Sequence, residues 1–358
     1  MANSKKKKKT VYSGIGGQAV LEGIMMKNKN NYSVAVRLPD GSIDVKKWEC
    51  ESIAGKSKLA KLPFIRGVIN FIDSMILGMK TLTYSASFYE EEETKSSGDK
   101  FMEKVFKEKA ESVVNGITVF ISFIFAIGLF LLLPYFASEW IGSFIQNNSL
   151  VAIIEGCIRI VIFLLYVSLI SLMKDINRLY KYHGAEHKCI NCIEAGRPLT
   201  VRNVMRCSRL HRRCGTSFLL IVMLISVILF FFIRVDEIWL RLLLRVALVP
   251  VIAGISYELL RFAGSHDNFL VKIISAPGLL LQKLTTKEPD EAIVEVAIAS
   301  IEKIFDWEAF ENKNFKRKVV KKVVENKDGT FADTGEETLE IDVIEVQKII
   351  NSSSDKQV

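Results

Sequence analysis

Thr216-Ser217-Phe218-Leu219-Leu220-Ile221-Val222-Met223-Leu224-Ile225-Ser226-Val227-Ile228-Leu229-Phe230-Phe231-Phe232-Ile233 is continuous, apolar and uncharged. As a helix rising 1.5 Å per residue it would reach ~27 Å, close to the ~30 Å hydrocarbon core of a bilayer. Three further stretches are long and mostly apolar: Val113 to Phe136, Leu150 to Met173, which holds Glu155 and Arg159, and Ile238 to Phe262, which holds Arg241, Arg245, Glu258 and Arg261. The expected fold is therefore mainly α, a multi-pass helical membrane protein with about four transmembrane helices.

Composition agrees. The 358 residues are 49% hydrophobic and 25% charged, with mean hydropathy +0.24. The formal net charge of +8 does not by itself imply nucleic acid, since Lys and Arg collect in the cytoplasmic loops of membrane proteins. No nucleic-acid partner is expected. Nor do the six cysteines (Cys50, Cys157, Cys189, Cys192, Cys207, Cys214) form a secreted disulfide framework.

Outward from the spans, residues 1–11 read as a basic, solvated tail, with a lysine run and no apolar core behind it. Residues 12–60 read as a small α+β unit. There, Tyr32 to Arg37 and Ser42 to Trp48 flank Leu38-Pro39-Asp40-Gly41, and this predicts a β-hairpin, because proline presets one turn dihedral and glycine accepts positive φ. Residues 61–112 combine an interfacial or membrane-dipping helix, Pro63 to Ser85, with a charged connector. Spans 1 and 2 fill 113–173, and spans 3 and 4 fill 216–262. Residues 263–310 read as surface-lying helices with a break at Ala276-Pro277-Gly278, and 311–358 as a charged tail without regular elements.

Charge sets the topology. The link from Ala137 to Ser149 has no Lys or Arg, whereas 174–215 carries Lys174, Arg178, Lys181, Lys188, Arg197, Arg202, Arg206, Arg209, Arg212 and Arg213. Positive residues stay inside. Both termini and the His/Cys-rich link are thus expected in the cytoplasm, with the lipid membrane as the first partner.

That link also carries the chemistry. His183-Gly184-Ala185-Glu186-His187 places two imidazoles at i and i+4, on one helix face, with Glu186 between them. This is the H-x-x-E-H order, an inverted form of the zinc-protease motif. His211-Arg212-Arg213-Cys214 supplies two more zinc-type ligands. His183 and His187 with either His211 or Cys214 would leave one coordination position open, as catalytic zinc sites do. A closed structural site from Cys189-x-x-Cys192 and His211-x-x-Cys214 is the competing arrangement, and would leave His183 and His187 idle. His266-Asp267-Asn268 offers either a further ligand or a helix cap. Within the second span, Glu155 and Arg159 at i and i+4 make either a structural pair or part of a polar path.

Several separated stretches resemble the bacterial YqhQ family. They are Gly16-Gly17-Gln18-Ala19-Val20-Leu21-Glu22-Gly23-Ile24-Met25-Met26, then Tyr182 to Lys188, then His211 with Arg213 to Phe218. His266-Asp267-Asn268, Ala276-Pro277-Gly278, Leu284-Thr285-Thr286 and Glu288-Pro289 follow in order, so the resemblance runs from Tyr12 to Phe305. It implies an integral membrane protein and a metal-dependent enzyme with no established substrate. Carried over on matching positions are His183, Glu186, His187, His211 and Cys214, with Glu22, Glu194 and His266 as secondary candidates. Two departures stand out: Arg212 replaces a proline, and Cys189 and Cys192 are not part of the family pattern, which disfavours the closed structural site.

The leading expectation is a metal-dependent hydrolase of the bacterial cell membrane, acting on a lipid or membrane peptide at the cytoplasmic surface. It would use a divalent metal, zinc foremost, and Glu186 as general base. The alternatives are a transporter or channel for a metal ion or small solute, lined by Glu155, Arg159, Arg241, Arg245 and Glu258, and a membrane scaffold with structural zinc. A homo-oligomer is compatible with each.

Overall fold

The computed structural model describes residues 11–50, 62–89, 110–145, 147–233, 235, 237–265, 269–315, 319–325 and 331–339. Most of the basic tail, the charged connector and His266-Asp267-Asn268 lie outside these residues.

The N-terminal unit is a four-stranded antiparallel meander: β1 (Ile15–Val20), β2 (Gly23–Asn28), β3 (Asn31–Arg37) and β4 (Ile43–Glu49). The expected hairpin is β3–β4, with Tyr32 opposite Trp48 and Gly41 at φ 86° in the turn. The glycine-rich stretch before it adds two more strands, joined at Leu21-Glu22, where Glu22 takes φ 48°. Alternation then divides the side chains between two faces. Ile15, Ile24, Met26 and Ala35 face one core, while Val20, Met25, Val34 and Val36 face another.

The helices are α1 (Ile65–Ala86), α2 (Ala110–Ile127), α3 (Leu133–Gly142), α4 (Asn148–Ile170), α5 (Lys174–Glu194), α6 (Val201–Met205) and α7 (Gly215–Phe231). After them come α8 (Ile238–Ala247), α9 (Val249–Ser265), α10 (Phe269–Thr285), α11 (Glu291–Glu302) and α12 (Trp307–Asn314). A π-helical turn, Gly128–Leu132, joins α2 to α3.

Among the described residues, three helical stretches are long and apolar enough to cross a membrane: Gly116–Gly142, Ser149–Ile170 and Trp239–Gly264. The stretch with which the reading began gives a shorter helix, α7, of 17 residues. It is the most interior of the apolar helices, burying Phe218, Leu220, Ile221, Met223, Ile225 and Phe230 against α4, α9 and α10. Pro277 does not break the chain where a break was expected. It sits inside α10, where Gly278 lies so close to Ser217 that a Cβ would come within 2.6 Å of its hydroxyl.

One core unites segments that read separately in sequence. The inner face of the sheet packs on Tyr182, Ala185, Cys189, Ile190 and Ile193 of α5 and on Ile293, Val294, Val296, Ala297 and Ile301 of α11. Ser33 reinforces this by donating to the Ser300 carbonyl at 2.6 Å. The outer face takes Leu77, Tyr84 and Phe88 from α1 and the chain just after it. Beyond α12, Val319–Glu325 and Phe331–Leu339 form an antiparallel hairpin, β5–β6, where no regular element was expected. The β-branched run Val319-Val320 and Val323-Val324 favours that conformation.

Candidate metal centre

Helix α5 presents two faces with different work. Tyr182, Ala185, Cys189 and Ile193 enter the shared core, and His183 and His187 stand one turn apart beside them. Their rings lie 4.4 Å apart between centroids. At Gly184 the chain 285–289 crosses the helix so closely that a Cβ would come within 2.0 Å of the Lys287 carbonyl oxygen. The Lys287 N–H also donates to the Tyr180 carbonyl at 2.9 Å. Glycine is required there because backbone occupies the space a side chain would need.

This crossing orients the imidazoles. His183 Nδ1 lies 2.9 Å from the Thr285 carbonyl, and His187 Nδ1 lies 2.6 Å from the Arg209 carbonyl. A carbonyl only accepts, so each Nδ1 carries the proton and each Nε2 is left with its lone pair. Fixing one ring nitrogen this way is how proteins aim the other at a metal.

The two Nε2 atoms converge on Cys214. Its Sγ lies 3.1 Å from His183 Nε2, and the three ligand atoms lie within 4.8 Å of one another. Among the described residues this is the one group of three or more such side chains so arranged. His187 Nε2 is buried and has no hydrogen-bond partner. A buried lone pair aimed at a thiol and a second imidazole is the donor set zinc prefers, so the residues present fit such an ion. Cys214 also caps α7, with the Thr216 N–H 3.4 Å from its sulfur. Burial holds His187 below the ordinary imidazole range, which keeps it in the neutral form that binds metal.

Of His211 and Cys214, the structure brings Cys214 into the cluster with His183 and His187. His211 turns its Nε2 toward Glu194, 3.7 Å away, and its ring centroid is 5.6 Å from that of His187. Gln282 grips its backbone from both sides, accepting from the His211 N–H at 2.8 Å and donating to its carbonyl at 2.7 Å. Burial alone would raise the Glu194 carboxyl. His211, Arg213 and the Ser13 N–H together hold it below the usual carboxylate range.

Glu186 is buried with its carboxyl against Gly17 of β1, close enough that a Cβ on Gly17 would stand 3.0 Å from it. Burial pushes its proton affinity above the usual carboxylate range, while His183 and the Gly17 N–H pull the other way. The Gly16-Gly17-Gln18 stretch therefore backs the site from a strand far distant in sequence, a role that spacing alone did not reveal. The backbone carbonyls of Thr285 and Arg209 carry no side-chain signal at all.

Other candidates go elsewhere. Glu22 pairs with Arg178 at the β1–β2 turn. Cys189 and Cys192 sit in the hydrophobic core, with Cys192 Sγ 3.5 Å from the Pro198 carbonyl, and do not join His211 and Cys214. The expected pair of Glu155 and Arg159 is a triad. Arg159 Nη2 lies 2.7 Å from Glu155 Oε1, and Arg245 lies 2.8 Å from both carboxylate oxygens, tying α4 to α8.

These features define a mainly helical protein with apolar helices of membrane-crossing length and a largely buried His-His-Cys cluster beside them. The chain belongs to the family described as "Protein of unknown function (DUF1385)", which matches residues 62–307. It is similar to the "Uncharacterized protein YqhQ" of Bacillus subtilis (strain 168), with 38% identity over 312 residues, 84% of this chain and 95% of that relative. No solved structure matches it.

Proposed function

We propose that this chain is a metal-dependent enzyme of the bacterial cell membrane, with His183, His187 and Cys214 holding a divalent ion, zinc foremost. The observation that carries the reading is the convergence of three ligand atoms within 4.8 Å, with both Nδ1 positions engaged by backbone carbonyls. Bound there, the ion supplies Lewis acidity to whatever group occupies its open position. Glu186 takes up and returns the proton, its affinity for it raised by burial. Glu194 steadies His211 behind His187.

Hydrolysis is the reaction that best suits this set, because it needs a polarised electrophile and one carboxyl to manage a proton. A lipid or a membrane peptide is the proposed substrate, since α5 and Cys214 adjoin the apolar bundle. The basic content of 174–215 supports a cytoplasmic position for the site and both termini.

The test is metal content of the detergent-purified protein by plasma mass spectrometry, beside His187→Ala and Glu186→Gln. About one ion per chain in the wild type and in Glu186→Gln, lost in His187→Ala, supports the reading. Metal retained by His187→Ala, or absent from the wild type, removes it.

A further inference from the structure

Helix α1 leaves the N-terminal unit with an unusual load. Ile65, Ile72, Met75, Ile76, Met79 and Leu82 form an exposed apolar stripe, each at least 40% accessible. The other side of the helix makes the packing contacts, burying Gly67, Leu77, Gly78, Thr81 and Ser85. A Cβ on Gly254 of α9 would come within 3.0 Å of the Phe64 carbonyl oxygen, and one on Gly67 within 2.8 Å of Tyr257. Arg66 Nε donates to Glu258 at 2.6 Å, and Asn70 donates to the Tyr257 hydroxyl at 2.8 Å. One turn later the rings of Phe71 and Phe218 lie 5.6 Å apart. Further on, Gly78 meets the Gln18 side chain, and the Ser85 hydroxyl accepts from the Leu21 N–H at 3.1 Å.

These contacts give a depth scale. Gly254 lies ten residues inside the end of the Trp239–Gly264 stretch, or ~15 Å at 1.5 Å per residue. That is halfway through a ~30 Å hydrocarbon core. Phe218 lies three residues inside the start of α7, or ~5 Å. From Phe64 to Phe71 is seven residues of α1, or ~10 Å. The three estimates agree: α1 begins near mid-depth, climbs alongside α9, and emerges where it meets the sheet.

The start of α1 is built for that position. Helix N-termini leave backbone donors unpaired, and hydrocarbon offers them nothing. Phe64 gives no side-chain cap. Yet Ile65 N–H reaches the Pro63 carbonyl at 2.9 Å, Arg66 N–H the Leu62 carbonyl at 3.0 Å, and Gly67 N–H the Phe64 carbonyl at 3.0 Å. Val68 N–H also finds the Phe64 carbonyl, at 3.3 Å. Pro63 has no N–H to satisfy.

We infer that α1 is a re-entrant half-helix whose first two turns insert beside α9 to about the middle of the bilayer, with Ile65 and Ile72 of its outward stripe on lipid acyl chains. The occupant is lipid because α9, on which α1 packs, lies in a stretch long and apolar enough to cross a membrane and itself exposes Val249 and Val251. Met75 to Leu82 then lie at headgroup level, next to the sheet that backs Glu186. The inference rests on Trp239–Gly264 crossing the membrane.

The test uses the full chain in lipid nanodiscs, with Cys50→Ser and Cys157→Ser to remove the two cysteines that are not buried. One nitroxide is placed at residue 65, 72, 79 or 251 through a cysteine substitution. Relaxation by oxygen is compared with relaxation by a water-soluble nickel chelate. The expected result is an oxygen-to-nickel ratio at 65 close to that at 251 and several-fold above that at 79, with 72 between. A ratio at 65 equal to that at 79, with 251 still in lipid, overturns the re-entrant helix and spares the span. Water access at 251 overturns both. Exclusion of both relaxants at 65, with dipolar broadening, puts a second copy of the chain on this face and overturns the lipid assignment.

Discussion

His183 Nε2 lies 3.1 Å from Cys214 Sγ, although one residue is mid-helix and the other caps the helix after next. Nothing local holds them together. Gln282 does so by fastening the segment before Cys214 to α10, with a further bond to the Ser217 hydroxyl at 2.8 Å. The expected consequence is that Gln282→Leu loosens the cluster without touching a ligand. Zinc affinity, read by competition with a chromophoric chelator, should fall roughly 10–100-fold, the range seen when supporting groups around a metal are lost. Unchanged affinity would show that the clamp is dispensable.

Cys214→Ser tests the thiolate directly. Cobalt substituted into the wild type should give the ultraviolet charge-transfer band of a sulfur ligand, and the serine variant should lack it. His211→Ala should retain that band, because His211 is turned to Glu194. A cobalt-loaded wild type without the band, together with loss of cobalt binding in His211→Ala, would reverse the ligand assignment.

Gly184→Ala forces a methyl into the Lys287 carbonyl. Backbone cannot step aside as a flexible side chain does, so the cost is expected at about 1–3 kcal/mol or above. The variant should melt several degrees lower in detergent and lose metal with the displaced Thr285 carbonyl. Full stability would mean that the segment 285–289 can lift away freely.

Glu155→Ala leaves Arg159 and Arg245 buried without their shared carboxylate. Breaking one partner of a buried ionic group typically costs ~3–5 kcal/mol. A large drop in the unfolding midpoint, with metal content intact, is the expected result. An unchanged midpoint would remove the triad's structural role and return Glu155 to functional candidacy.

Glu194 gives a pH signature. Its folded pKa lies below its ordinary 4.5, so the native state binds fewer protons in that range than the unfolded chain. The stabilisation is complete above about 4.5 and is lost as pH falls through the folded value. Denaturation midpoints measured from pH 7 downward should therefore decline more steeply for the wild type than for Glu194→Gln. Parallel curves would show that Glu194 is not the group responsible.

The H-x-x-E-H spacing was enough to place His183 and His187 on one face, because helical periodicity is a local property. Hydropathy likewise marked the apolar helices, and turn chemistry marked the β3–β4 hairpin. The depth of α1 and the length of α7 were not legible. Apolar residues look alike in sequence whether they meet lipid or protein, and only packing tells the two apart.

By itself, then, the sequence determined the mainly helical class, the apolar helices, the family and the two histidines. Each rests on composition or on residues a few positions apart. Tertiary structure alone decided that Cys214 and not His211 joins them, that Gly17 backs Glu186, and that Arg245 completes the Glu155 pair. Those choices depend on backbone carbonyls and close approaches between distant segments, where the contact is made by atoms every residue possesses.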